Sequence, residues 1–252
     1  MQKDGEVKIK SLKKSLEVLE CFTQKQPLGV TEISEKLGLY KSNVHNILMT
    51  FTAMGYVEQD PESGKFRLGV SVMTLSRAFR EGLNIAKIAL PFMREIANEV
   101  GELVYLSIPR GDEVVYLEAI YPDNQRMVSK SVIGECSKMY CTSVGKAILS
   151  QFSPEEMERC IEGKLEAFTE YTITDKEKLR EEIEATRIRG YGLDNMEVMF
   201  GIKCVGVAIL NYEGKVEAGL SISAPSLRMG EERIQEFVKV LQTYAGKIQK
   251  ML

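Results

Sequence analysis

Apolar residues at three- and four-residue steps open the chain. Leu12, Leu16, Leu19 and Phe22 fall on one helical face, with Ser11 available as a cap and Pro27 stopping the run after Gln26. Ile33 and Leu37 turn the edge of a second, short helix inward, which Thr31 can cap and Gly38 ends. After the turn Gly38-Leu39-Tyr40, a third helix is predicted over residues 41–54, where Val44, Ile47, Leu48, Phe51 and Met54 define a buried face. Its opposite face carries Ser42, Asn43, His45, Asn46, Met49 and Thr50, a hydrogen-bonding set with almost no charge. Two helices joined by a tight glycine turn form a helix-turn-helix, whose second helix enters a DNA major groove. Residues 56–59 and 65–68 read as strands around the turn Asp60-Pro61-Glu62-Ser63-Gly64, which adds a wing.

Beyond the wing, Val70, Met73, Leu75 and Phe79 predict an amphipathic linker helix ending near Gly82. A longer helix follows from Asn84, with Pro91 expected to kink or restart it. The period then drops to two over residues 103–109 and 113–121, joined by the hairpin turn Arg110-Gly111-Asp112, and a third strand is expected at 126–132. Helices are expected at 143–151, 154–162 and 175–189, the last behind Thr174 as cap. Strands at 203–211 and 215–223 and a closing helix from Glu231 complete an antiparallel sheet flanked by helices. The fold class is therefore α/β in the mixed, α+β sense: a winged helix-turn-helix over 1–68, a linker helix over 69–83 and a second domain over 84–252.

On the first domain, Asn43, His45 and Asn46 are placed to read bases, with Thr50 further along the same face. Lys41 and Ser42 at the helix start and Lys65 and Arg67 on the wing are placed to meet phosphates. The same polar face on a small helical domain could instead only meet water. Charge adds little: the 252 residues carry −3, and residues 1–68 hold 10 Lys and Arg against 9 Asp and Glu. Strong nonspecific DNA binding is not indicated, although phosphate contacts depend on local charge more than on totals. A composition of 44% hydrophobic and 27% charged residues is that of an ordinary globular protein, and no apolar run is long enough to span a bilayer. A cytoplasmic location is expected, since the five cysteines lack any CxxC pair and suit a reducing compartment.

Catalysis and metal binding find little footing. The one histidine, His45, lies in the reading helix, so neither a Ser/His/Asp nor a Cys/His arrangement can be built in the second domain. There is no phosphate-binding glycine loop and no nucleophile elbow. No catalytic residue, cofactor or metal is expected. A small-molecule pocket fits better. Tyr140-Cys141-Thr142-Ser143-Val144-Gly145-Lys146 runs straight into a helix, where free backbone N–H groups can meet an anion. Asp194 follows the glycine loop at 190–193, and Ser221 and Ser223, two apart, share one strand face that could be a polar pocket floor or could face solvent. Cys204 could join that floor or serve as a small core residue.

Taken together, SLKKSLEVLE, VTEISEKLGLYKSNVHNIL, GKFRLG, GDEVVYLEA, CTSVGKAIL, RIRGYGLDN, GIKCVGVAIL and GLSISAP, in that order, resemble the IclR family of bacterial transcriptional regulators over nearly the whole chain. The resemblance implies an N-terminal winged helix-turn-helix, a C-terminal GAF/profilin-like effector domain and a homodimer, often paired into a tetramer. It also implies effector contacts at Thr142, Ser143, Val144, Asp194, Cys204, Ser221 and Ser223. Two positions depart from the family pattern. Asn46 stands where an arginine is common after the histidine, and Tyr140-Cys141-Thr142 replaces His-Ala-Thr. The function expected is a ligand-responsive repressor or activator that binds a palindromic double-stranded operator and senses a small metabolite. A small carboxylate bearing a keto or hydroxyl group is favoured, with an aromatic acid as alternative because Tyr140 could flank a ring. The rival readings are a protein-interaction or metabolite-binding module whose helix-turn-helix does not read DNA, and an enzyme fused to such a unit.

Overall fold

The computed structural model describes residues 7–123 and 132–252. The chain divides into two compact units, Met1–Gly82 and Leu83–Leu252.

In the first unit, α1 (Lys10–Glu20), α2 (Val30–Leu37) and α3 (Lys41–Ala53) surround a core of Val18, Phe22, Leu28, Ile33, Val44 and Leu48, closed by Val57 and Phe66 of the wing. Fully burying each of these large apolar side chains is worth about 1.5–3 kcal/mol, which holds a unit of few residues together. Strands β1 (Val57–Gln59) and β2 (Phe66–Leu68) pair antiparallel, and Leu28 exchanges both backbone hydrogen bonds with Phe66 to add a third rung. Asp60 ties the wing turn by accepting the N–H groups of Glu62 and Ser63 at 2.9 Å. Helix α4 (Ser71–Gly82) completes this unit.

Three local expectations are corrected. Thr31 lies inside α2; the cap position is Gly29, whose N–H is taken by the Glu32 carboxylate at 2.9 Å. A carboxylate three residues into the helix reaches back to this orphan donor better than the hydroxyl of a residue already inside the turn. Ser11 likewise falls inside α1, which has Ile9 before it and no side-chain cap. Met54 is 58% exposed because it caps the C-terminus of α3, where the chain leaves the helical path.

In the second unit, α5 (Asn84–Val100) runs uninterrupted through Pro91, so the proline does not restart the helix. The strands are β3 (Leu103–Arg110), β4 (Glu113–Ile120), β5 (Cys136–Lys138), β6 (Gly192–Asn195), β7 (Ile202–Leu210) and β8 (Val216–Pro225). They form one antiparallel sheet in the order β5-β4-β3-β8-β7-β6. The strand expected at 126–132 falls on residues that, up to 131, lie outside those described; β4 pairs with β3 on one side and with β5 on the other. Helices α6 (Ser143–Leu149), α7 (Pro154–Ile161), α8 (Lys176–Arg189) and α9 (Glu231–Gln249) complete the unit. The α8 cap is Asp175, which accepts the Lys178 N–H at 3.0 Å, in place of the expected Thr174; a carboxylate at a helix start also gains from the macrodipole.

Strand alternation splits the sheet into two faces. Val104, Leu106, Val205, Val207, Ile209, Ala218, Leu220 and Ile222 join α5 and α9 in one core. The intervening residues face α6, where Val114, Val144, Ile148, Leu179 and Ile183 form a second core.

Candidate functional site

The reading helix α3 is fixed from beneath by Val44 and Leu48, both fully buried, while Ile47 and Phe51 are half-buried beside them. Gly38 makes the turn before it at φ 64°, a left-handed conformation that glycine adopts without cost. Ser34 locks that turn, its hydroxyl donating to the Leu39 carbonyl at 2.6 Å and its carbonyl accepting the Leu39 N–H at 3.1 Å. Lys41, Ser42, Asn43, His45, Asn46, Met49 and Thr50 are all exposed. The Thr50 hydroxyl donates to the Asn46 carbonyl at 2.8 Å, whereas the side chains of Lys41, Ser42, Asn43, His45 and Asn46 make no hydrogen bond or ion pair with the described residues. Tyr40, at the helix cap and 81% exposed, joins this surface. The sequence treated it only as a turn residue, although a large aromatic beside a helix start was a legible signal.

Both wing cations are engaged within their own unit. Lys65 Nζ lies 3.1 Å from Glu32, and Arg67 Nη2 lies 3.2 Å from Glu58, its cross-strand partner in the β1–β2 register. Glu32 is held well below the usual carboxylate range, at about 2, chiefly by the Gly29 N–H and then by Lys25 and Lys65.

On the second unit, the sheet register builds a polar face under α6. One row across the strands is Tyr105, Ser221, Gly206 and Gly192; the next is Leu103, Ser223, Cys204 and Asp194. Gly192, Gly206 and Gly219 let the first turn of α6 lie directly on the sheet. A Cβ on Gly206 would stand 2.7 Å from Val144 N, and one on Gly192 would stand 2.1 Å from the Ser143 carbonyl oxygen. This contact brings Ser143 and Val144 to strands that begin only at Gly192, Ile202 and Val216. Thr142 is the α6 cap: its hydroxyl accepts the Gly145 N–H and donates to the Lys138 carbonyl, each at 3.1 Å. The Ser143 and Val144 N–H groups sit in the first turn, where no intrahelical acceptor exists.

Ser221 and Asp194 are buried, while Cys204, Ser223, Tyr105 and Tyr116 are half-buried. Thus the seven residues expected at the effector site, Thr142, Ser143, Val144, Asp194, Cys204, Ser221 and Ser223, gather around α6 and the sheet face below it. Sequence reading missed Tyr105 and Tyr116, whose rings meet at 5.1 Å on the same face. Only the cross-strand register reveals them, Tyr105 standing directly opposite Ser221. It also missed β6, since a four-residue strand between glycines carries no period-two run. Tyr140 is withdrawn from the site: its hydroxyl donates to the Glu166 carbonyl at 2.7 Å and accepts the Glu166 N–H at 2.9 Å, and its ring stacks on Phe168.

Burial pushes the Asp194 carboxyl up to about 6, against the Glu197 N–H that it accepts at 2.6 Å. Burial also raises the Cys204 thiol and the Tyr105 phenol, and lifts the Tyr116 phenol and the Cys141 thiol each to about 12. Lys146, fully buried on α6, donates to Glu197, with Glu182 3.7 Å away and itself paired to Arg189 at 2.6 Å. A carboxylate arriving here would therefore meet N–H and O–H donors more readily than a free cation.

A winged helix-turn-helix joined through a helix to a sheet domain with such a face defines a transcriptional regulator with separate DNA-binding and effector-binding parts. Residues 11–61 match the IclR helix-turn-helix domain and residues 78–250 match the family described as bacterial transcriptional regulator IclR C-terminal. The chain belongs to the IclR family. It is 34% identical over 244 residues to the HTH-type transcriptional regulator KdgR of Escherichia coli (strain K12), covering 95% of this chain and 91% of that one. The crystal structure of the Thermotoga maritima IclR aligns at TM-score 0.73 with 32% identity, over 96% of this chain and 98% of that one. An IclR homolog from Microbacterium hydrocarbonoxydans, complexed with 4-hydroxybenzoate, shares the fold at TM-score 0.81 and 24% identity, over 95% and 98% of the two chains. Among the described residues no helix is long and apolar enough to cross a membrane.

Proposed function

We propose that this regulator acts as a homodimer, setting two copies of α3 into successive major grooves of a palindromic operator. Asn43, His45 and Asn46 read bases, with Tyr40 and Thr50 flanking them, while Lys41, Ser42, Lys65 and Arg67 meet phosphates. The observation that carries this reading is the exposed polar face of α3, where the side chains of Asn43, His45 and Asn46 have no hydrogen-bond partner among the described residues, anchored by Val44 and Leu48 beneath. Leu75 and Phe79, four apart on α4 and both more than half exposed, favour a second copy as the partner that covers them.

The effector is a small carboxylate bearing a hydroxyl or keto group. Its carboxylate is received by the Ser143 and Val144 N–H groups, and its oxygens by Ser221 and Ser223, with Cys204 and Asp194 beside them. The 4-hydroxybenzoate bound by the Microbacterium homolog supports an acid as the class. Asp194, its carboxyl raised to about 6 by burial, accepts a ligand hydroxyl, and its repulsion of the acid eases as pH falls toward that value. Only Leu83 separates α4 from α5, and α5 packs on the face of the sheet opposite α6, so a change around the effector reaches the DNA-binding unit through the sheet and then along the chain. Native mass spectrometry of the purified protein, with gentle denaturation to release small molecules, tests the assembly and the ligand together. A dimer or tetramer carrying a small acid is expected; a strict monomer defeats two-fold operator recognition.

A further inference from the structure

Arg67 and Glu58 stand directly opposite one another on the wing, and the arginine spends two donors on one carboxylate oxygen. Its Nε lies 3.3 Å and its Nη2 3.2 Å from Glu58 Oε2. Charge-assisted hydrogen bonds are usually nearer about 2.7–2.9 Å, and a guanidinium fork is best used by two oxygens at once, as a phosphate offers. The pair is therefore a loose, exchangeable copy of a phosphate contact. The second wing cation is treated the same way, since Lys65 meets Glu32, which is also fixed by the Gly29 N–H and by Lys25. Of the three cations that the DNA reading uses, only Lys41 has no ion pair with the described residues.

We propose that Glu58 is an internal competitor for Arg67, occupying the wing guanidinium in the free protein and releasing it only to a correctly placed phosphate. Two consequences follow from the geometry. Affinity for random DNA is kept down, because a loosely seated complex leaves Arg67 on Glu58 and gains no contact from it. The specificity ratio between operator and random sites is raised, because a well-seated complex offers Arg67 a better acceptor than a sliding one does. The inference rests on the wing's contact with phosphate, and the test separates the two.

The probe is a labelled duplex of random sequence, its binding followed by fluorescence anisotropy across salt from about 50 to about 300 mM. Glu58→Gln keeps the size and strand geometry of the side chain while removing its charge. An exposed pair of this kind corresponds to about two- to five-fold in affinity, so Glu58→Gln is expected to bind random DNA tighter by that factor at the low-salt end. The gain should shrink as salt screens the pair in the parent protein. In an Arg67→Ala background the same change should give no gain, because the competitor then has nothing to release. Far-UV circular dichroism melts of all the variants check that folding is equal. If Arg67→Ala weakens binding while Glu58→Gln leaves it unchanged, the competitor is refuted and the wing contact stands. A gain equally large without Arg67 also refutes it, since Glu58 would then act only by repelling DNA. If neither change alters binding, the wing contact itself falls and takes the competitor with it.

Discussion

Asp194→Asn separates the electrostatic cost of burying a carboxyl on the sheet face under α6 from the hydrogen bond that it accepts. Asp194 is 3% exposed and its carboxyl is raised from 3.8 to about 6, mainly by burial. Because the folded value is the higher one, the native state holds the proton more tightly than the unfolded state does. Stability from this group is therefore fully present below about pH 4 and is lost as pH rises through about 6. The whole difference is worth about 3 kcal/mol, and about 2 kcal/mol of it falls between pH 4.5 and 7.5. Asparagine keeps an oxygen for the Glu197 N–H, now accepted at 2.6 Å, and removes the ionisation. The expected result is that the variant gains on the parent protein by about 2 kcal/mol across that range. Urea unfolding followed by far-UV circular dichroism at several pH values measures it, and subtracting the two proteins cancels titrations elsewhere. A stability difference that stays level with pH, or falls as pH rises, would refute the claim that burial controls this carboxyl.

Four further outcomes can be checked. Asn46→Ala is expected to change which bases are preferred at the operator, read by selection from a randomised duplex, while affinity for random DNA holds. The double variant Ser221→Ala, Ser223→Ala should keep DNA binding yet lose the effector response in an anisotropy titration with whatever acid co-purifies; retained response removes the serines from the site. Gly206→Ala should destabilise by about 1–3 kcal/mol in urea unfolding, because its Cβ would stand 2.7 Å from Val144 N and α6 would have to lift. Lys146→Met should cost about 3–5 kcal/mol, since it strands the buried Glu197 carboxylate beside Glu182. A Lys146→Met protein with unchanged denaturation midpoint would show that Glu197 goes neutral at little cost.

Much of the fold was legible because burial repeats. Val44 and Leu48 follow from a four-residue step, and Ser221 and Ser223 share a face because a strand alternates. Local capping was less legible, because several residues can serve each helix end. Thr31, Ser11 and Thr174 were each reasonable caps, and each was displaced by a neighbour, Gly29 with Glu32 at α2, Ile9 at α1 and Asp175 at α8. The wing cations illustrate a further limit. Lys65 and Arg67 are visible in the sequence, but that Glu32 and Glu58 hold them depends on helix and hairpin being folded together.

The sequence by itself determined the two-part plan, the place of the helix-turn-helix and the family resemblance. Each of these is written in local periodicity and in short ordered motifs. Tertiary structure decided the neighbourhoods. It laid α6 on Gly192, Gly206 and Gly219, put Tyr105 opposite Ser221, turned Tyr140 away to Glu166 and raised the Asp194 carboxyl by burying it. Those outcomes depend on strand register and close packing between segments far apart in the chain. No local pattern encodes them, because the free energy of a side chain is set by what surrounds it once the sheet has closed.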